Sequence, residues 1–197
     1  MVLKFRVILL SFLMFWVAGI TAQQEIYSDT MYHFDDRGVI ESVITYLISE
    51  NDTLREGPAS YYYVTGDLWQ EGFYKNSLMD SLWTTYYPDG NLKRISTYRE
   101  GNRTGIFSDY YHNGQVKSEV FYLNDSLTGL MYLYYKSGQI REKRVYRDHK
   151  LNGMITGFGP TGNLSYRISY ADSAQNGLYE IYHPSGMLKE KTLIRNQ

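Results

Sequence analysis

Tyr86-Tyr87-Pro88-Asp89-Gly90-Asn91-Leu92 is the stretch on which the reading of the fold turns. Pro88 presets the second position of a type I turn, Asp89 suits the third, and Gly90 takes the positive φ that closes a three-residue hairpin with a bulge. Residues on both sides alternate with the period of a strand. Tyr182-His183-Pro184-Ser185-Gly186 carries the same chemistry. The glycine itself recurs at Gly66, Gly90, Gly114, Gly138, Gly162 and Gly186, always 24 residues apart, with Gly38 heading a longer first unit. A second series, Gly57, Ser81, Gly105, Gly129, Gly153 and Gly177, keeps the same step.

Other columns move with the glycines. Four residues before each tip glycine stands an aromatic: Phe34, Tyr62, Tyr86, Tyr110, Tyr134, Phe158, Tyr182. Two after stands an aliphatic, from Ile40 to Leu188, and eight after stands a tyrosine, from Tyr46 to Tyr170, then Ile194. Eight before stand Pro58, Leu82, Ile106, Leu130, Met154 and Leu178. Such self-similarity is the mark of a repeat architecture. The turn predicts that Tyr110 opposes Val116, that Ile106 opposes Val120, that Lys117 opposes Asp109, and that the Tyr and aliphatic columns share one buried face. Six polar residues, Arg99 to Thr104, are expected to be a return loop. The fold class expected is all-β: an elongated antiparallel β-hairpin repeat array of 24-residue units, laid down as a single twisted meander. A closed barrel is the alternative; a propeller is disfavoured, because its blades need ~40 residues or more.

Composition narrows the chemistry. The 197 residues carry 20 Lys+Arg against 21 Asp+Glu, a net charge of -1, so no basic excess points to nucleic acid. With no Cys, disulfides, thiol catalysis and thiolate metal sites are excluded. The 21 Tyr are the unusual feature. Lys4 and Arg6, then the uncharged run Val7 to Ile20, then Thr21-Ala22 before a polar stretch, read as a secretory signal peptide over residues 1–22. The run is short for a spanning helix, so membrane contact is expected only if this segment stays uncleaved. A short leader, residues 23–31, and one repeat domain of about seven units, residues 32–197, complete the expected organisation. The location expected is the periplasm or the outside of the cell.

The run Tyr-Tyr-Pro-Asp-Gly-Asn-Leu-Lys at residues 86–93, followed by Tyr98 and Gly105, resembles the MORN-repeat variant of bacterial proteins, which are often grouped with the YwqK-type antitoxin family. The resemblance spans residues 32–197. It implies a β-hairpin scaffold used for protein contacts and sometimes lipid contacts, and the family name implies an antitoxin role. The export signal departs from a cytoplasmic antitoxin and turns that implication toward an immunity-like role outside the cytoplasm.

The candidate site lies beside the tips. Three before the glycine come Tyr63, Tyr87, Tyr111 and Tyr135; three after come Lys93, Lys117 and Arg141. As a stripe these residues suit an extended partner, the rings giving contact area and the cations taking carboxylates or phosphates. As a bland surface they are a solvated sheet face with local cation–π pairs. Both readings stand at this level. His33, His112, His149 and His183 sit in separate units and form no metal or catalytic set, and no carboxylate dyad stands out. No cofactor is expected and no enzyme. The function expected is a non-catalytic exported scaffold for another protein. Cell-wall glycan is the alternative, since Tyr-Tyr-x-x-Gly is similar to the aromatic repeats of choline- and glucan-binding modules. Those repeats are richer in Trp, and after Ala22 only Trp69 and Trp83 occur.

Overall fold

A computed structural model describes residues 27–195. The expected signal peptide lies outside them. Every regular element among the described residues is a strand: β1 (Tyr27–Phe34), β2 (Ile40–Ile48), β3 (Thr53–Tyr62), β4 (Leu68–Lys75), β5 (Leu78–Tyr86), β6 (Leu92–Arg99), β7 (Asn102–Arg103) and β8 (Gly105–Tyr110). There follow β9 (Val116–Leu123), β10 (Ser126–Tyr134), β11 (Ile140–Arg147), β12 (Lys150–Leu151), β13 (Gly153–Phe158), β14 (Leu164–Ala171), β15 (Ala174–Tyr182) and β16 (Leu188–Ile194). The first strand starts inside the stretch expected to be a leader: Tyr27 to Phe34 pairs with β2.

Contacts divide the chain at Gly90 into two compact units. In the first, β1 to β5 lie side by side in chain order. In the second, β6, β8, β9, β10, β11, β13, β14, β15 and β16 do the same, with β7 against β6 and β12 against β11. The pairings within each unit are antiparallel, so each is an open meander of hairpins, as the repeat implies.

The tips follow the expected chemistry. Gly114 N–H donates to Tyr111 O at 2.9 Å, Tyr111 N–H donates to Gln115 O at 2.8 Å, and Gly114 has φ of 80°. Tyr110 opposes Val116. One residue further the register departs from expectation. Asp109 opposes Ser118, so Lys117 is an extra residue, a β-bulge. The same shift recurs at Glu41, Trp69, Arg141, Ser165 and Lys189. Past the bulge every pairing moves by one, and a slip of one exchanges the faces of a strand. Val120 therefore opposes Phe107, and Ile106 opposes Phe121.

This overturns the expected burial. The column seven before the glycine is the packed one: Ala59, Trp83, Phe107 and Ile155 are buried. The column eight before is on the other face, with Leu82, Ile106 and Leu130 each about half exposed. On the packed face Tyr98 and Tyr122 meet Phe107 edge-on at 5.5 and 4.8 Å between ring centres. In the first unit Tyr74 meets Trp83 edge-on at 5.0 Å, and Trp83 Nε1–H donates to Phe73 O at 3.1 Å. Such aromatic pairs add ~0.5–1.5 kcal/mol beyond their buried area. Two strand glycines make room for rings: a Cβ on Gly72 would stand 2.2 Å from the Trp83 indole, and one on Gly157 would stand 2.2 Å from the Tyr166 ring.

The return loops are tighter than the sequence suggested. Arg99 pairs with Asn102, Leu123 with Ser126 and Arg147 with Lys150, leaving two residues at each turn. Both have positive φ, as in Asn124 (46°) and Asp125 (65°), the type I′ signature that suits the strand twist. Four of the two-residue turns also tie back to the hairpin before them. Ser77, Asp125, His149 and Ser173 donate their N–H to the carbonyls of Arg55, Arg103, Leu127 and Leu151 at 2.8–2.9 Å. Their side chains accept the N–H of the same four residues at 2.9–3.4 Å. Asp125 also accepts Arg103 Nε–H at 2.8 Å, which holds its carboxyl below the usual carboxylate range.

Candidate functional site

The tip turn and the following bulge together place the candidate residues. Tyr63, Tyr87, Tyr111 and Tyr135 leave the strand end just before the turn and are half-buried. Three of the four hydroxyls follow one rule: Tyr63 donates to Tyr86 O, Tyr111 to Tyr134 O and Tyr135 to Phe158 O, each at 2.8 Å. Each acceptor is the backbone of the next repeat. These tyrosines therefore join neighbouring hairpins, with part of each ring left at the surface.

Lys93, Lys117 and Arg141 are exposed. Lys117 and Arg141 are bulge residues, and bulges re-aim the side chain they carry. In the first unit Trp69 takes this position, and its ring lies 6.4 Å from that of Tyr63. The two columns are thus neighbours there. The bulge also removes the expected pairing of Lys117 with Asp109. Arg94 Nε–H donates to Asp109 Oδ1 at 2.6 Å instead, and Ser118 Oγ–H donates to Oδ2 at 3.1 Å.

Two further features escaped the sequence reading. One is a carboxylate–tyrosine contact between repeats. Tyr86 donates its hydroxyl to Glu71 at 2.6 Å, and Tyr134 donates to Glu119 at 2.6 Å. The hydrogen bond to Glu71, then burial, pushes Tyr86 up to about 12; burial, then Glu119, does the same to Tyr134. Where the carboxylate is replaced by Lys143 the next repeat has Phe158, and the ammonium sits 5.8 Å from that ring centre. The signal was present as a pairing of columns five after one glycine and four before the next. The other feature is the exposed apolar row made by Ile106, Phe121 and Leu130.

On the packed face Glu142 is buried and accepts from both Arg144 Nε–H and the Tyr166 hydroxyl. Burial, then Glu142, raises the Tyr166 phenol well above its ordinary range. Among the described residues no group of three or more His, Asp or Glu is placed to hold a metal ion, and no helix is long and apolar enough to cross a membrane.

Five-residue tips, two-residue returns and hydrogen bonds from each hairpin to the next define a β-hairpin repeat scaffold. The chain belongs to the MORN repeat variant family, which matches residues 55–76, 79–100, 103–124, 127–148 and 175–196, more than half of its length. Repeats of this kind are associated with scaffolds that bind proteins or membranes. No curated protein matches the chain. The stretch between the last two matches forms the same hairpin. Gly159 N–H donates to Asn163 O at 2.8 Å, although Gly159 and Ser165 have replaced the column residues.

Proposed function

We propose that this protein is a non-catalytic scaffold, exported from the cytoplasm, that binds another protein through its hairpin tips. The observation that carries this reading is the exposed cation column Lys93, Lys117 and Arg141, set beside half-buried tyrosines. Successive cations stand two strands apart, ~9–10 Å, a spacing suited to an extended acidic partner. The tyrosines hold the tips in register, so the cations come from a pre-organised surface and lose little freedom on binding. Export rests on the basic start, short apolar run and small residues of the first 22 positions. With export, the antitoxin role suggested by the YwqK-type resemblance becomes an immunity-like one, with a partner met outside the cytoplasm. Glycan binding draws less support: Trp83 is 1% exposed, which leaves Trp69 as the available indole after Ala22.

Capture from envelope extracts, read by mass spectrometry, tests the reading. Lys117→Glu with Arg141→Glu is expected to lose the partner while the melting temperature holds, since both side chains are exposed. Retention of the same partner by that variant overturns the assignment to the tips. Intact mass of the exported protein is expected to begin at Gln23; a mass that keeps the apolar run replaces export with anchoring.

A further inference from the structure

The face opposite Phe107 and Ile155 in the second unit is built in rows, because the strand pairings set residues at common heights. One row reads Ser108, Glu119, Tyr132, Lys143, Thr156, Arg167, each opposite the next. Beside it, further from the tips, runs an apolar row: Ile106 opposite Phe121, then Leu130 opposite Val145, then Met154 opposite Ser169. Ile106 is 57% exposed, Phe121 38% and Leu130 48%. A contiguous apolar strip rimmed by polar residues marks an interaction surface, whereas single exposed apolar residues mean little.

We propose that this face packs against the same face of a second copy, about a two-fold axis that lies between the two sheets and runs along β10. Such an axis reverses the order of strands and keeps heights. It exchanges β9 with β11 and β8 with β13. Leu130 then meets Leu130 of the second copy, Phe121 meets Val145, and Ile106 meets Met154. In the adjoining row Glu119 meets Lys143, Tyr132 meets Tyr132, and Ser108 meets Thr156. Two observations select a second copy over other partners. The row changes sign across β10, from Glu119 on β9 to Lys143 on β11, so it is complementary to itself only when reversed, as an isologous contact requires. The apolar residues recur once per hairpin, every ~9–10 Å, and an identical sheet packed face to face supplies a row with that same interval. Glu119 already accepts from Tyr134, and a carboxylate retains lone pairs for an ammonium.

The chain has no cysteine, which makes the test direct. In the exported protein, Leu130→Cys places one thiol on the axis; a short bis-maleimide is expected to convert that variant to covalent dimer. Ser185→Cys, exposed at the tip between β15 and β16 and so four strands or more from the axis, is expected to stay uncrosslinked under the same treatment. Sedimentation equilibrium of the cysteine-free protein is expected to show a monomer–dimer equilibrium. Glu119→Lys alone and Lys143→Glu alone each create like-charge contacts and are expected to raise the dimer dissociation constant roughly 10- to 100-fold; the two together restore it. Thermal melts of all variants separate lost association from lost folding. A protein that is monomeric throughout, a dimer that crosslinks at Ser185→Cys but not at Leu130→Cys, or a monomer that binds anionic vesicles through Leu130 each overturns the proposal.

Discussion

Replacing Gly72 by Ala isolates the packing of the first unit. The added Cβ would lie 2.2, 2.4 and 2.6 Å from three atoms of the Trp83 ring system. Carbon atoms in contact stand ~3.5–4.0 Å apart, so the ring or the strand must yield by more than 1 Å. Trp83 has little freedom to do so. It is 1% exposed, is held by its bond to Phe73 O at 3.1 Å, and stands edge-on to Tyr74. Overpacking of this kind costs ~1–3 kcal/mol, and losing the indole hydrogen bond adds ~1 kcal/mol. Restricting the unfolded chain returns ~0.4–1 kcal/mol. The net expectation is a loss of ~2 kcal/mol. Urea unfolding of the chain from Gln23 reads this through tryptophan emission, because only Trp69 and Trp83 remain and Trp83 is the buried one. Gly72→Ala should lower the midpoint and red-shift the folded spectrum. Trp83→Leu removes the obstacle, so the double variant should be more stable than the sum of the two single losses predicts, with a coupling of ~1 kcal/mol or more. Gly157→Ala meets Tyr166 at the same distance in the other unit, and should destabilise without moving the tryptophan spectrum. An unchanged midpoint in Gly72→Ala, or strict additivity with Trp83→Leu, would refute the ring-over-glycine account.

Three further expectations follow from the hydrogen bonds and turns. Tyr111→Phe removes the hydroxyl that donates to Tyr134 O and should cost ~0.5–1.5 kcal/mol in a denaturant titration. Tyr86 and Tyr134 are raised from 10.0 to about 12, so the stability they confer is complete below about pH 10 and is lost as pH rises through about 12. Urea midpoints measured across that interval should fall, and fall less steeply in Tyr134→Phe; an equal slope in both proteins contradicts the assignment. Gly114 has φ of 80° with nothing within 4 Å of a built Cβ, so Gly114→Val should cost ~1–2 kcal/mol by backbone conformation alone. Gly114→Asn should be nearly neutral, and equal losses for Val and Asn would point to a packing role instead.

The hairpin array was legible because its tips are written in Gly, Pro and Asp at a fixed interval, and turn chemistry is local. The choice of buried face was not. Both Ile106 and Phe107 are apolar, as are Leu130 and Met131, so two adjacent columns compete for the inside. The bulge at Lys117 decides between them, and nothing in the type of residue there announces an extra position, since Trp69, Lys117 and Ser165 all occupy it. The return turns resemble longer loops in sequence because Glu100, Asn124, Asp148 and Asp172 stand within polar runs. Their positive φ makes them two-residue turns, a conformation Asn and Asp tolerate and Glu100 adopts with Gly101 beside it. The tip stripe was half legible. Its cations are exposed as expected, but the 24-residue step conceals that the hydroxyls of Tyr63, Tyr111 and Tyr135 serve the backbone of the next repeat.

The two-residue returns have a consequence for how such a chain can change length. A turn with positive φ at both positions has no slack, and its second residue is clasped by a strand 22 positions earlier. One inserted or deleted residue there breaks the clasp and turns every later side chain to the wrong face. Duplication or loss of 24 residues does neither, because the junction is identical on both sides. The geometry therefore favours change in length by whole hairpins over change by single residues at these turns. The loop from Ser49 to Asp52, outside the regular step, is the place where an odd number of residues can survive.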